Sequence, residues 1–225
     1  MRSTLIISTL NEIGGVEALY PRIPFEAVDE CIVLDGGSTD GTVEFFWAKG
    51  IRVVSNVKKG DIFRVGAQEA AGEYLVFFAP DGNEDPEDIP RLLALLEEGY
   101  DMAIASRFMP GARNEEDGNR LPLRAWANRF FTFLVWAFWG GKITDTINGF
   151  RSVRKAKLLE MKTDASGFDI EFQISIRALK LGHAVLEIPT NEGDRIGGRS
   201  KAHSIPTGLR MLRCLCREVL ISKKF

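Results

Sequence analysis

Three oxygen-bearing side chains follow directly after one short apolar run of the sequence. The run 74–79 breaks into Asp81, Asn83 and Asp85 within a few residues. Such runs are typical of buried strands in a parallel sheet, and open α/β sheets bind their ligands at the carboxyl ends of those strands. Hard oxygen donors suit Mg²⁺ or Mn²⁺ holding a diphosphate, whose phosphates complete the coordination. The sequence predicts such a site here, and the acidic first turn of a helix is the alternative interpretation.

A second acid stands at a strand end in the segment 31–42, which reads CIVLDGGSTDGT. Asp35 closes an apolar strand where we identify no structural need for a carboxylate. We therefore expect it to accept a hydrogen bond from an N–H group of a nucleobase. Gly36 and Gly37 allow a ligand to approach the backbone closely. Asp40 is expected to cap the helix that follows.

Cationic side chains near these acids would balance the charge of a bound diphosphate. Arg107 follows a strand, and the planar fork of arginine suits a phosphate. A glycine-containing loop near the C-terminus holds several more cations, and its glycines allow backbone N–H groups to join them. The candidate cations are Lys59, Arg64, Arg107, Arg195, Arg199 and Lys201. Solvated surface side chains are the alternative interpretation for Lys59 and for the C-terminal loop.

The elements that must position these residues alternate between strand and helix in the first half of the chain. We predict strands over 4–8, 31–35, 51–55, 74–79 and 101–106, with helices between them. This alternation implies right-handed crossovers and a mainly parallel sheet. In the second half we predict a loop or lid over 109–122, helices over 124–139, 155–161, 169–181 and 211–221, and strands over 150–153 and 184–189.

The composition indicates one globular domain with a marked segregation of charge. The 225 residues are 45% hydrophobic and 27% charged, which is sufficient for a core. Residues 1–104 carry a net charge of −11 and residues 105–225 one of +9. The basic half indicates an anionic partner, and the absence of a recognisable module argues against nucleic acid. The three cysteines, Cys31, Cys214 and Cys216, show neither metal nor disulfide spacing, which favours a reducing compartment.

Two segments of the second half are typical of helices that lie on a membrane. The segment 124–139 is strongly aromatic and carries Arg124 and Arg129, although a core or oligomer helix is the alternative. One face of the terminal helix, expected to rest on anionic lipid, has arginines alongside at helical spacing and carries the apolar stripe Leu209, Leu212, Leu215 and Val219. No apolar stretch reaches the roughly 20 residues that span a bilayer, and we see no signal peptide. We expect a cytoplasmic protein that binds the membrane peripherally.

The order of the motifs resembles that of a known enzyme family from about Thr4 to Lys201. An apolar strand leads to Asn11 and Glu12, then come VLDGGSTDGT, the acidic break after residue 79 and the segment SRF. This series resembles the family 2 glycosyltransferases of the GT-A fold. The later segments TDTINGFR (144–151) and DRIGGRSK (194–201) resemble dolichyl-phosphate mannosyltransferases and their bacterial polyprenyl-phosphate relatives.

The chain departs from the family pattern at two positions. Ala79 stands where the family's D-x-D motif has its first aspartate, so that one metal-binding carboxylate is missing. Asp81 matches the second aspartate and Asn83 the glutamine that follows. Metal binding would then be weaker or would depend on Asp85. Leu10 stands where the family usually has a tyrosine, which removes an aromatic contact to the base.

The resemblance implies an α/β GT-A fold in a single domain over 1–225, with C-terminal amphipathic helices that face a membrane. Residues 1–106 would bind the nucleotide sugar and residues 107–225 the acceptor. The implied reaction moves a mannose- or glucose-like sugar from a UDP- or GDP-sugar to a polyprenyl or dolichyl phosphate, with inversion and with Mg²⁺ or Mn²⁺. The alternatives are transfer to a soluble sugar hydroxyl, with Asp145 or Glu171 as the base, or a non-catalytic subunit that binds sugar nucleotides.

The resemblance also assigns roles to the candidate residues. The partners would be the donor, the lipid phosphate and the membrane surface, with a second copy of the chain or a membrane-bound subunit as a further candidate. The donor would be bound by Ser8, Glu12, Asp35, Gly37, Lys59 and Arg64. The metal ligands would be Asp81, Asn83 and Asp85. The catalytic set would be Asp81, Arg107, Arg195, Arg199 and Lys201.

Overall fold

A computed structural model describes residues 2–196, 204–223 and 225 of the chain. Its strands are β1 (Ser3–Thr9), β2 (Glu30–Asp35), β3 (Arg52–Val54), β4 (Tyr74–Phe78), β5 (Met102–Ser106), β6 (Arg151–Arg154) and β7 (Val185–Pro189). Its α-helices are α1 (Ile13–Leu19), α2 (Thr42–Ala48), α3 (Ile62–Glu69), α4 (Asp88–Glu97), α5 (Leu123–Trp139), α6 (Lys155–Glu160), α7 (Ile170–Leu181) and α8 (Ser204–Ile221).

The strands form one seven-stranded sheet in the order β3-β2-β1-β4-β6-β5-β7. The strand pairs β1–β2, β1–β4, β2–β3 and β5–β7 are parallel, whereas β6 runs antiparallel to both β4 and β5. The predicted mainly parallel sheet flanked by helices is therefore confirmed. The insertion of β6 between β4 and β5 was not predicted, because a four-residue strand carries no signal for its direction or its neighbours.

Hydrophobic clusters cover both faces of the sheet, which explains why its central strands are continuous apolar runs. Along β1, Leu5 and Ile7 belong to one cluster and Ile6 to the other, as the two-residue period of a strand requires. All five residues of β4 are buried. The strand end that precedes Asp81 is thus fixed from both faces, and the polar residues that follow it begin from a rigid base.

A third cluster joins α5, α7 and α8 beside the sheet. It contains Phe131 and Val135 of α5, Phe172 and Ile176 of α7, and Met211, Cys214 and Leu215 of α8. Helix α8 begins at Ser204 and not at residue 211 as predicted, and Leu215 of its expected exposed stripe is buried in this cluster. Within the described part of the chain, no helix has the length and apolarity that crossing a membrane would require.

Buried ion pairs fasten α8 onto α7. Glu218 is fully buried and accepts hydrogen bonds from Arg177 and Lys180, with the Lys180 Nζ at 2.7 Å from its Oε2. Gln173 donates a further bond to the same carboxylate. Burial favours the neutral form of Glu218, but these donors lower the pKa of its carboxyl overall. Helix α8 is therefore held in one orientation, and its exposed side is defined.

Candidate active site

A cleft of about 490 Å³ opens at the carboxyl ends of β1, β4 and β5. Residues that follow these strands form its polar end, among them Glu12 after β1, Asp81 after β4 and Arg107 after β5. Helices α5 and α8 supply its other end, where the lining is largely apolar. Its apolar members are Leu123, Ala127 and Phe131 of α5, Met211 of α8 and the loop residue Ile147, and its polar members are Arg124, Asn128 and Thr207. One cleft thus joins a charged end to an apolar end.

Arg195 bridges two acids at the polar end of the cleft. Its Nη1 lies 2.5 Å from Asp81 Oδ2, and its Nη2 contacts Glu12 Oε1. The Asp81 side chain is 17% exposed, Glu12 8% and Arg195 22%, so these charges are largely removed from water. Two negative side chains in this position require a positive charge between them, and in this structure a guanidinium provides it.

Backbone hydrogen bonds hold the segment of Arg195 against the turn that follows β4. The N–H of Ile196 donates to Asp81 O at 2.7 Å, and that of Gly193 donates to Asn83 O at 3.1 Å. Gly82 has a φ of +98°, and a Cβ there would lie 2.6 Å from Asp194 O. Glycine is therefore required where the two segments meet.

The predicted metal ligands separate in the structure. The amide nitrogen of Asn83 donates to Gly193 O at 2.9 Å and to Glu115 Oε2 at 3.2 Å, and Asn83 lines the cleft. Asp85 does not line the cleft, because its carboxylate pairs with Arg22 at 2.9 Å on the surface. The structure thus brings Asp81 and Asn83 together at the site and leaves Asp85 outside it.

Glu84 is a cleft residue that the sequence reasoning missed. Its Oε2 accepts a hydrogen bond from the Ala79 backbone N–H at 2.7 Å, and its side chain lines the cleft. Burial, and then the negative charge of Asp81, raise the pKa of Glu84 well above its usual value. The aspartate missing at position 79 was the one signal in the sequence that could have directed attention to a replacement carboxylate.

Arg107 is held by two buried acids. Its Nε and Nη2 donate to Asp145 at 2.7 and 3.0 Å, and its Nη1 donates to Glu192 at 3.2 Å. Burial alone would lower the pKa of Arg107, but the two carboxylates raise it, so the guanidinium stays charged. Arg107 reaches the cleft as predicted, yet most of its donors are already engaged, and its role towards a phosphate remains a prediction.

The two acids considered as bases are both ion-paired. Asp145 is fully buried; burial would raise the pKa of its carboxyl, but the charge and hydrogen bonds of Arg107 lower it overall. Glu171 is almost as buried, and its Oε1 lies 2.6 Å from Lys59 Nζ. A carboxylate with a depressed pKa is a poor proton acceptor, so the structure argues against Asp145 in that role. Lys59 lines the cleft beside Glu171, as predicted.

Asp35 has a structural role that the sequence reasoning denied. It is 1% exposed and accepts hydrogen bonds from the N–H groups of Gly37 and Ser38 at 2.7 and 2.8 Å. Thr9 Oγ1 and the Ser38 hydroxyl donate to its other oxygen. The turn after β2, with Gly37 at a φ of +101°, is organised around this carboxylate, so the expectation of no structural need was wrong. A nucleobase contact for Asp35 remains a prediction.

The remaining predicted residues divide between the cleft, the surface and the segment that is not described. Ser8 lines the cleft, and so does Gly36, whereas Gly37 does not. Arg64 does not line the cleft, and it pairs with Asp61 one helical turn earlier at 2.7 Å. Arg199 and Lys201 lie outside the described residues. Asp40 accepts hydrogen bonds from the N–H groups of Thr42 and Ile13 and so fixes the starts of α2 and α1 together.

Comparison with known proteins relates the chain to sugar transferases. Residues 4–161 match the family model described as glycosyl transferase family 2. A glycosyltransferase of Haloferax volcanii, AglJ, is 30% identical over 202 residues, which are 86% of this chain and 64% of that protein. The polyprenol monophosphomannose synthase of Mycolicibacterium smegmatis is 29% identical over 220 residues, covering 89% of this chain and 80% of that protein. The chain thus spans less than two thirds of the length of the Haloferax relative.

A solved structure resembles the whole described architecture. Glucosyl-3-phosphoglycerate synthase from Mycobacterium tuberculosis, in complex with Mn²⁺, UDP and phosphoglyceric acid, superposes with a TM-score of 0.75 at 23% identity. The match covers 97% of this chain and 78% of that one. At this identity the likeness bears on the fold alone, and it confirms the predicted GT-A fold.

Proposed function

Since the chain belongs to glycosyl transferase family 2, we propose that it transfers a sugar from a nucleotide sugar to a polyprenyl or dolichyl phosphate. The name of the Mycolicibacterium relative supports this acceptor class. The proposed donor is a UDP- or GDP-linked mannose or glucose-like sugar. Residues 1–106 would hold the donor and residues 107–225 the acceptor.

One observation carries the proposal: a single cleft has a charged end and an apolar end. A lipid phosphate has the same two parts, an anionic head and a hydrocarbon tail. The head would lie among Lys59, Arg107 and Arg195, and the tail would lie against Leu123 and Phe131 of α5 and Met211 of α8. A water-soluble sugar acceptor would make little use of the apolar end.

A divalent cation fits the chemistry of the donor end. Arg195 already stands as a cation between Glu12 and Asp81, so this position demands positive charge. The described residues contain no cluster of three or more His, Cys, Asp or Glu that would hold a metal unaided, so donor phosphates would supply further ligands. Asp81 and Asn83 would hold Mg²⁺ or Mn²⁺, which would act as a Lewis acid on the leaving diphosphate.

The proposed reaction is a single displacement at the anomeric carbon. An oxygen of the acceptor phosphate forms the new bond to that carbon while the bond to the nucleoside diphosphate breaks, and the configuration inverts. A phosphate monoester is already ionised at pH 7, so the step needs no strong general base. A mechanism without a general base agrees with the structure, in which Asp145 and Glu171 are both ion-paired. The cationic side chains of the cleft would orient the anionic acceptor and offset repulsion from the donor.

Peripheral membrane binding is part of the proposal. Large apolar side chains of α5 are more than half exposed, namely Trp126, Phe130, Phe133 and Trp136, and α8 exposes Leu209 and Leu220.

We expect the double substitution Phe133→Ser/Trp136→Ser to weaken binding to anionic phospholipid vesicles by about 10-fold. Trp47→Ser is the control, because Trp47 is equally exposed (59%) but lies on α2. Equal binding of all three proteins would contradict a membrane role for α5.

A transfer assay tests the proposed function. Purified protein would be incubated with radiolabelled UDP- and GDP-sugars, polyprenyl phosphate in lipid, and Mg²⁺ or Mn²⁺. We expect a lipid-extractable product that requires the metal and is lost with EDTA. Folded protein that yields no product with any donor, yet binds the nucleotide in calorimetry, would instead support a non-catalytic subunit.

A further inference from the structure

Ala79 leaves a gap in the metal site that the family pattern implies. Residue 79 ends the β4 run and lines the cleft, but its methyl side chain has no atom that could bind a cation. Of the pair of acids in the D-x-D pattern, only Asp81 remains. A chain that uses a divalent cation would need its second carboxylate from elsewhere.

Glu84, five residues further along the chain, places a carboxyl group near this position. The turn after β4 brings Glu84 back to the strand end, where its Oε2 lies 2.7 Å from the Ala79 N–H. This backbone contact places the Glu84 carboxylate beside the position where an aspartate side chain would start. Asp85, the next acid, has turned outward to Arg22.

The surroundings of Glu84 distinguish it from the other acids of the turn. Glu84 lines the cleft together with Asp81 and Asn83, which are the proposed ligands. It also lines a small adjoining cavity with Lys59 and Glu171. Glu87, by contrast, is 76% exposed and pairs with Arg22 at 3.4 Å on the surface.

We propose that Glu84 supplies the second carboxylate for the divalent cation bound at Asp81, in place of the aspartate absent at position 79. This inference rests on the proposed function, in which a metal holds the donor diphosphate. A solely structural role, in which Glu84 only accepts the Ala79 N–H, is the competing explanation. The two explanations differ in whether the Glu84 carboxyl group binds a cation.

Glu84→Gln separates these explanations, because a glutamine oxygen can still accept the Ala79 N–H but cannot become a metal-binding carboxylate. Binding of Mn²⁺ would be measured by electron paramagnetic resonance in the presence of UDP, with the melting temperature recorded for each protein. We expect Glu84→Gln to weaken Mn²⁺ binding by about 10- to 100-fold. Glu87→Gln is the matched control and should bind Mn²⁺ like the wild type.

A rescue variant guards against an effect on folding. In Ala79→Asp/Glu84→Gln the carboxylate returns to the family position, and we expect Mn²⁺ affinity to recover to within a few-fold of the wild type. Wild-type affinity in Glu84→Gln would overturn the inference and leave the proposed function intact. A wild-type protein that binds UDP but no Mn²⁺ would overturn both the inference and the metal-dependent part of the proposed function.

Discussion

Two arginine centres meet at the polar end of the cleft, and they differ in how firmly they are built in. Arg107 is held by Asp145 and Glu192, and these acids also accept backbone N–H bonds from residues 147, 148 and 115. Arg195 lies on a segment after β7 and bridges Glu12 and Asp81, which line the cleft. The first centre joins β5 to the segment before β6, whereas the second occupies a place that a metal and a diphosphate would need. We expect the Arg107 centre to act as a scaffold that still presents its guanidinium to the cleft, and the Arg195 contacts to exchange with ligands.

The largest effect should come from removing the acid of the exchangeable centre. We expect Asp81→Ala to reduce sugar transfer at least about 100-fold, because the proposed cation at the diphosphate would lose its principal ligand. Asp85→Ala is the control, since its pair with Arg22 lies on the surface. Asp88, at the start of α4, is a second nearby acid but a poor control, because it is buried and accepts a hydrogen bond from Thr190 Oγ1 at 2.6 Å. Equal losses in Asp81→Ala and Asp85→Ala would contradict the site.

For stability the order should be reversed: the substitution in the scaffold centre should lower the free energy of unfolding more than the substitution in the exchangeable centre. Arg107→Ala leaves the fully buried Asp145 without its cation, and we expect the free energy of unfolding to fall by about 3–5 kcal/mol. Arg195→Ala leaves Glu12 and Asp81 at the wall of an open cleft, where water and ions can reach them, and should cost less, about 1–2 kcal/mol. Urea denaturation measures both values. Similar losses in the two variants would remove the distinction between scaffold and exchangeable centre.

The Arg107–Asp145 pair should also affect how the free energy of unfolding changes at acid pH. Burial would raise the pKa of Asp145, but Arg107 lowers it below the ordinary value of 3.8. The stabilisation is therefore complete above pH 3.8 and is lost as the pH falls through the lower folded-state pKa. Asp145→Asn should show a shallower decline of unfolding free energy as the pH falls below that value. Parallel pH profiles for the variant and the wild type would contradict the lowered pKa.

The smallest expected effect concerns competition between Arg195 and the metal. Without nucleotide, Arg195→Ala removes the internal cation from Asp81, and we expect Mn²⁺ affinity to rise about 3- to 10-fold. Lys49→Ala, which removes an exposed cation directly after α2, is a control for net charge. Calorimetric titration with Mn²⁺ measures the difference. A weaker affinity in Arg195→Ala would mean that Arg195 supports the metal site and does not compete for it.

The sequence predicted the frame of the molecule better than the partners of its charged residues. The apolar runs located β1, β2, β4 and β5, and the parallel order placed Asp81 and Arg107 at one sheet edge. Spacing alone could not indicate that Arg195 would reach Glu12 and Asp81, because these contacts join segments more than a hundred residues apart.

The local sequence also does not indicate which way the side chains of neighbouring acids point. Asp85 and Glu84 are adjacent, yet one pairs with Arg22 on the surface and the other returns to the Ala79 N–H. The turn decides between these directions, and its shape depends on Gly82 and on backbone bonds from residues 193 and 196. A hydrophilic turn of this kind carries no periodicity from which such directions could be read.

Competition between two acceptors tests the central claim, that the cleft transfers sugar to a lipid phosphate. One reaction would contain the labelled donor, Mn²⁺, polyprenyl phosphate in lipid and an equal concentration of a water-soluble phosphorylated acceptor such as phosphoglyceric acid. We predict that the label enters the organic phase, because only the lipid phosphate occupies both the charged and the apolar end of the cleft. Label found predominantly in a water-soluble product would contradict the account.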